Sequence, residues 1–140
     1  MSLERFCRKT LVKVAPNTPI DSVARTMREM HVGVVVVVDA QDTPVGVISD
    51  RDIACRVVAE GRDPRTSEVS TVMSAPAATI RETARIEEAA VRMRELGVRR
   101  LPVVDAEGRL SGLVSLDDLM VMLTSELHQV VQAIRENRGP

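Results

Sequence analysis

Gly46-Val47-Ile48-Ser49-Asp50-Arg51-Asp52 has a counterpart 66 residues further on, Gly112-Leu113-Val114-Ser115-Leu116-Asp117-Asp118. The same offset joins Val14 to Ile80, Met27 to Met93, Val32 to Val98, Asp39 to Asp105 and Ile53 to Leu119, with no gap. A repeat of this length is one supersecondary unit used twice, and units this short bury enough surface only by packing together. The quoted stretch also carries chemistry. Its Gly, small hydroxyl and carboxylate stand at a spacing that suits a phosphate and a ribose.

Outward from this stretch, each copy reads as strand, helix, strand, strand, helix, an α/β (α+β) fold. In the first copy Leu11 to Val14 is a short strand stopped by Pro16. Thr18 is placed to cap a helix, with Pro19 at its first position and Asp21 completing a capping box. Ile20, Val23, Ala24, Met27 and Met30 recur at steps of three and four, as do Ile86, Ala89, Ala90, Met93 and Leu96 in the second copy, so each helix has one apolar face. The β-branched run Val34 to Val38 predicts a strand buried on both faces, as does Leu101 to Val104. Turns at Asp39-Ala40-Gln41-Asp42 and Asp105-Ala106-Glu107-Gly108 lead to third strands at Val45 to Ile48 and Leu110 to Val114.

A second helix follows each Ser. The first is expected from Asp50 to Glu60, before Gly61 and a linker through Ser67; Glu68 to Met73 reads as a short helical turn. The last, from Leu116 to Asn137, outruns its counterpart and keeps Leu123, Leu127, Val130, Val131 and Ile134 on one side. Those turns imply a homodimer or partner surface, or else fold back over the chain's own body. The expected boundaries are repeat one at 8–65, repeat two at 66–124 and a helical extension at 125–140.

Composition narrows the function. Phe6 is the only aromatic residue and the net charge is −1. Nucleic-acid binding is disfavoured, since it draws on stacking platforms or a basic field. Val32 to Val38, the longest apolar run, is too short to cross a bilayer, and charges fill the N-terminus where a signal peptide is apolar. Cys7 and Cys55 are isolated thiols with neither a disulfide framework nor a CxxC pair, which fits the cytoplasm.

Ser-x-x-Asp ahead of an apolar run is by itself a capping box, and this explains Ser49, Asp52, Ser115 and Asp118 without a ligand. Three features favour a nucleotide instead. Gly46 and Gly112 sit within strands, where Gly is costly unless a backbone or ligand approaches closely. A helix N-terminus offers amides to a phosphate, and a carboxylate one turn in can accept from two ribose hydroxyls. The set also occurs twice in one register.

These residues resemble a tandem pair of cystathionine β-synthase (CBS) domains, a Bateman module. The matching pieces are Gly-x-x-Ser-x-x-Asp in both copies, Val98-Arg99-Arg100-Leu101-Pro102-Val103-Val104-Asp105, and Val69-Ser70-Thr71-Val72-Met73-Ser74 before the second copy. The resemblance covers residues 8 to 123. It implies two repeats packed as a pseudo-twofold pair through their sheets, with two clefts for adenosine-containing ligands: AMP, ADP, ATP, NAD(H) or S-adenosylmethionine. The family's ribose carboxylate corresponds to Asp52 and Asp118 and its hydroxyl to Ser49 and Ser115. Its adenine wall corresponds to Val32, Gly33 and Val34 in one copy and to Val98, Arg99 and Arg100 in the other. A family cleft commonly joins the carboxylate of one repeat to the wall of the other, which assigns Asp118 to the wall at Val32 to Val34. Arg99 and Arg100 stand where copy one has Gly33 and Val34, so guanidinium groups for phosphate oxygens lie beside one strand only. Arg51 is likewise replaced by Asp117, and unequal occupancy of the two clefts is expected.

His31 and His128 lack ligand-spaced partners, no metal site is read, and Met27, Met30, Met93, Met120, Met122 and Cys55 read as core. The function expected is a non-enzymatic nucleotide sensor acting on a separate effector protein. The alternatives are a structural dimerisation module and a nucleotide-processing enzyme, the latter poorly supplied with catalytic groups.

Overall fold

The computed structural model describes residues 2–5 and 11–137. Cys7 and the expected start of the first repeat at residue 8 lie outside them. In chain order the elements are β1 (Lys13–Val14), α1 (Ile20–Met30), β2 (Val34–Val38), β3 (Pro44–Ser49), α2 (Asp50–Ile53, continued by a π turn Ala54–Val58), β4 (Ile80–Arg81), α3 (Ile86–Leu96), β5 (Arg100–Val104), β6 (Leu110–Ser115) and α4 (Leu116–Glu136), with 3₁₀ turns at Leu3–Arg5 and Val69–Thr71. They make two three-stranded sheets, β1-β2-β3 and β4-β5-β6, each with a parallel outer pair and an antiparallel hairpin. The registers repeat at the same offset: Val34 lies opposite Ser49, and Arg100 opposite Ser115.

The five valines of β2 divide by alternation. Val35 and Val37 face Ile20, Val23, Met27 and Ile48 in the core of their own repeat. Val36 and Val38 face the other repeat, meeting Leu110 with Leu11 and Leu113 beside it. Burial on both faces, expected from the unbroken run, is therefore a consequence of sheet packing between repeats. A backbone bond from the Leu110 amide to the Asp42 carbonyl, 2.9 Å, also crosses the junction.

The repeats exchange their leading segments. Leu3, fully buried, enters the second core with Ile86, Leu101, Val114 and Met122, and the amides of Leu3 and Glu4 bond to the carbonyls of Ala84 and Glu82. Val69, its counterpart, enters the first core, where its amide bonds to the Thr18 carbonyl at 2.9 Å. Neither core is complete without a segment that precedes the other repeat.

Several local expectations change. Pro19, not Thr18, is the N-cap of α1, with no side-chain cap. The amides of Ile20 and Asp21 bond instead to the carbonyls of Ser67 and Pro64, and the Asp21 carboxylate takes the Ser22 amide and Arg25. The linker thus does the capping. The helix after β3 loosens into the π turn and stops before Glu60, the Ala59 amide reaching back to Ala54. Cys55 is exposed rather than core. Met27, Met93 and Met122 are buried as expected, but Met30 and Met120 are exposed. Helix α4 does not fold back: from Leu123 to Glu136 no side chain is buried. Among the described residues no helix is long and apolar enough to cross a membrane.

Candidate functional site

Both Ser-x-x-Asp motifs close as capping boxes. Ser49 Oγ accepts from the Asp52 amide at 3.1 Å and Asp52 Oδ2 from the Ser49 amide at 2.8 Å. Ser115 and Asp118 repeat this at 3.1 and 2.9 Å. The Asp50 amide bonds to the Gly33 carbonyl and the Arg51 amide to Asp50 Oδ1. All three leading amides of α2 are satisfied within the protein, which corrects the expectation of free amides for a phosphate. Recognition there falls to side chains.

Alternation along β3 then decides what faces the cleft. Ile48 and Gly46 point into their own repeat, while Val47 and Ser49 point out. A Cβ on Gly46 would collide with the side chain of Met73, so this glycine makes room for packing rather than for a ligand. Neither Gly46 nor Gly112 lines a cleft.

A cavity of about 530 Å³ lies between the repeats. Repeat one contributes Val34, Val47, Ser49, Arg51 and Asp52; repeat two contributes Leu96 and Gly97 from the end of α3, Val98 and Arg99 before β5, and Arg100 to Pro102 on β5. The carboxylate of one repeat thus meets the wall of the other. Ser74, Pro76 and Ala78 close one side, in a strap tied to β3 by reciprocal Val47–Ser74 backbone bonds of 3.0 and 2.9 Å. Arg56, one turn after Asp52, braces the strap: Nη1 donates to the Val72 carbonyl at 2.9 Å and to Ser74 Oγ at 3.4 Å, and Nε lies 3.8 Å from Asp52 Oδ1. Arg99 stands 3.8 Å from Asp117 in a largely exposed pair that contributes little.

A second cleft of about 160 Å³ is related to the first by the repeat. It is lined by Leu11, Val12, His31 to Val34, Val36, Arg100 and Leu113. Ser115 and Asp118 line neither cleft. Of the predicted residues, the structure brings together Ser49, Arg51, Asp52, Val34, Val98, Arg99 and Arg100 in one place, and Val32, Gly33, Val34 and Arg100 in the other.

The family model for the CBS domain matches residues 3–58 and 69–125. The chain belongs to the CBS domain family. The "CBS domain-containing protein YhcV" of Bacillus subtilis is 41% identical over 108 residues, covering 77% of this chain and 75% of that one. The uncharacterized protein MK0525 of Methanopyrus kandleri is 34% identical over 120 residues, covering 86% of this chain but only 61% of its own length. Among solved structures, CBSX2 in complex with AMP is 27% identical with a TM-score of 0.75, covering 89% of this chain and 96% of that one. The two CBS repeats are those expected from the paired motifs.

Residue patterns missed Val47, the strap and Arg56. Val47 lies two positions before Ser49 on a strand and so shares its face, and Arg56 lies at i+4 from Asp52 on a helix; both signals were available. The strap was visible only as a family match, because nothing in Ser74-Ala75-Pro76 announces a ligand. Among the described residues no group of three or more His, Cys, Asp or Glu could hold a metal.

Proposed function

We propose that the chain is a regulatory adenosine-ligand sensor of the cytoplasm, taking AMP, ADP, ATP, NAD(H) or S-adenosylmethionine in the large cleft and signalling to a separate protein. The observation that carries this reading is the cleft that joins Ser49 and Asp52 to Val98–Arg100 across the repeats. Its size falls within the roughly 300–1,000 Å³ of small-molecule sites. Asp52 keeps its cap through Oδ2, and Oδ1, with only Arg56 at 3.8 Å, accepts from ribose hydroxyls. Leu96, Val98, Leu101 and Pro102 offer an apolar wall to the base, while Arg51, Arg99 and Arg100 face the phosphates. A bound ligand regulates only insofar as it binds one arrangement of repeats or protomers better than another.

Calorimetry with the five ligands tests the reading, with Asp52→Ala expected to weaken binding by about 1.5–3 kcal/mol and deoxyribose analogues expected to bind less well. Replacing Arg99 and Arg100 by Ala should weaken AMP more than adenosine; equal losses would show that neither touches phosphate. The second reading is a purely structural module, in which both capping boxes serve only the helix starts. A thermal-shift panel separates the two, because a ligand at a hundred times Kd stabilises by about 2.7 kcal/mol.

A further inference from the structure

We infer that each chain binds one adenosine ligand, in the large cleft, because the second cleft is filled by the chain's own side chains. This rests on the adenosine reading above. The two clefts are built from equivalent positions, yet they measure about 530 and 160 Å³, and only the first reaches the range of small-molecule pockets, roughly 300–1,000 Å³. Among the described residues, the exchanges at equivalent positions account for the direction of the difference. Where the large cleft has Gly97, Ala78, Val47 and Pro102, the small one has His31, Val12, Leu113 and Val36. All four exchanges add bulk.

Two exchanges run the other way, Arg99 to Gly33 and Arg100 to Val34, the second offset by Val34 to Arg100 on the facing side. The first yields little room, because a Cβ at Gly33 would stand 3.2 Å from Asp50 Oδ2. That carboxylate also sets a negative charge beside the wall of the small cleft, where the large cleft has the Arg99 guanidinium. Arg100 lines this cleft as well, so what opposes a phosphorylated ligand there is chiefly volume. The asymmetry leaves Asp118 as a helix cap and Asp52 as the ribose carboxylate.

The test is stoichiometry, read by native mass spectrometry and calorimetry on the full chain with AMP as the probe. The unaltered protein should take up one equivalent per chain; two would overturn the inference. The variant Val12→Ala/His31→Gly/Leu113→Val, which alters no residue of the large cleft, should admit a second equivalent. A folded variant of this kind still limited to one equivalent would also overturn it. The reverse transplant, Val47→Leu/Gly97→His, should abolish uptake, and a retained equivalent would place the ligand elsewhere. No binding of AMP or the other four ligands by the unaltered protein would instead remove the adenosine reading on which the inference stands.

Discussion

The two oxygens of Asp52 have different partners: Oδ2 holds the Ser49 amide at 2.8 Å, and Oδ1 lies 3.8 Å from Arg56. A motif that caps a helix therefore leaves half of its carboxylate for other chemistry, and the capping and ligand readings of Ser-x-x-Asp do not compete. Arg56 has Met122 as its counterpart, a core residue, so the second repeat carries no arginine one turn after its carboxylate. A different carboxylate reports on pH. Chiefly the Arg109 amide, with the Glu107 amide and the Arg109 guanidinium adding to it, holds Asp105 below the ordinary carboxylate range. A folded-state pKa below the unfolded one gives stability that is full above the unfolded value, about 3.9, and lost as pH falls through the folded one. Asp105→Asn should thus be less stable than the unaltered protein at neutral pH, with the gap closing during acidification in denaturant titrations. A gap independent of pH would mean that the charge is not what stabilises this turn.

Among the elements, the exchanged 3₁₀ turns have the largest mechanical consequence. Leu3 is the third residue of the sequence given, a position where substitutions are ordinarily tolerated. Its complete burial in the second core makes it behave as an interior residue. Leu3→Ala should cost about 2–5 kcal/mol in chemical denaturation, as core truncations do; a loss below about 0.5 kcal/mol would mean that the segment does not hold the second repeat together. Turn chemistry differs between the hairpins in a smaller way. Gly108, at φ 81°, has Asp42 as its counterpart at φ 64°, so the first hairpin places a side-chain-bearing residue in the left-handed region. Lys13 compensates in part, its Nζ 2.6 Å from Asp42 Oδ1. Gly108→Ala, with nothing within 4 Å of the added Cβ, should cost about 1–2 kcal/mol from backbone conformation alone.

At the scale of the molecule, α4 is out of proportion to the body it leaves. Its 21 residues span about 31 Å, and beyond Met122 it is uncovered. Leu123, Leu127, Val130 and Ile134 follow each other at steps of four, three and four, the spacing of a coiled-coil seam, and Leu127 and Ile134 are 63% and 67% exposed. We expect a second copy to cover this seam, giving the homodimer anticipated from the sequence, since twofold pairs dominate soluble homo-oligomers. Removing the residues after Thr124 should lower the mass by light scattering to that of one chain. A truncated protein still dimeric at micromolar concentration would show that the pair forms through the repeats instead.

The sequence by itself determined the duplication, the apolar face of each helix, the double burial of β2, both capping boxes and the family. All of these follow from local spacing, because a 3.6-residue or two-residue period records which face of an element avoids water. Tertiary structure alone decided what covers each face. It placed Leu3 in the second core and Val69 in the first, packed Met73 against Gly46, and left the last turns of α4 bare. It also set Asp52 beside Val98–Arg100 in a cleft of about 530 Å³ while its twin shrank to about 160 Å³. A cleft between repeats is what remains after side chains from both have taken their volume, and no period along one chain records that remainder.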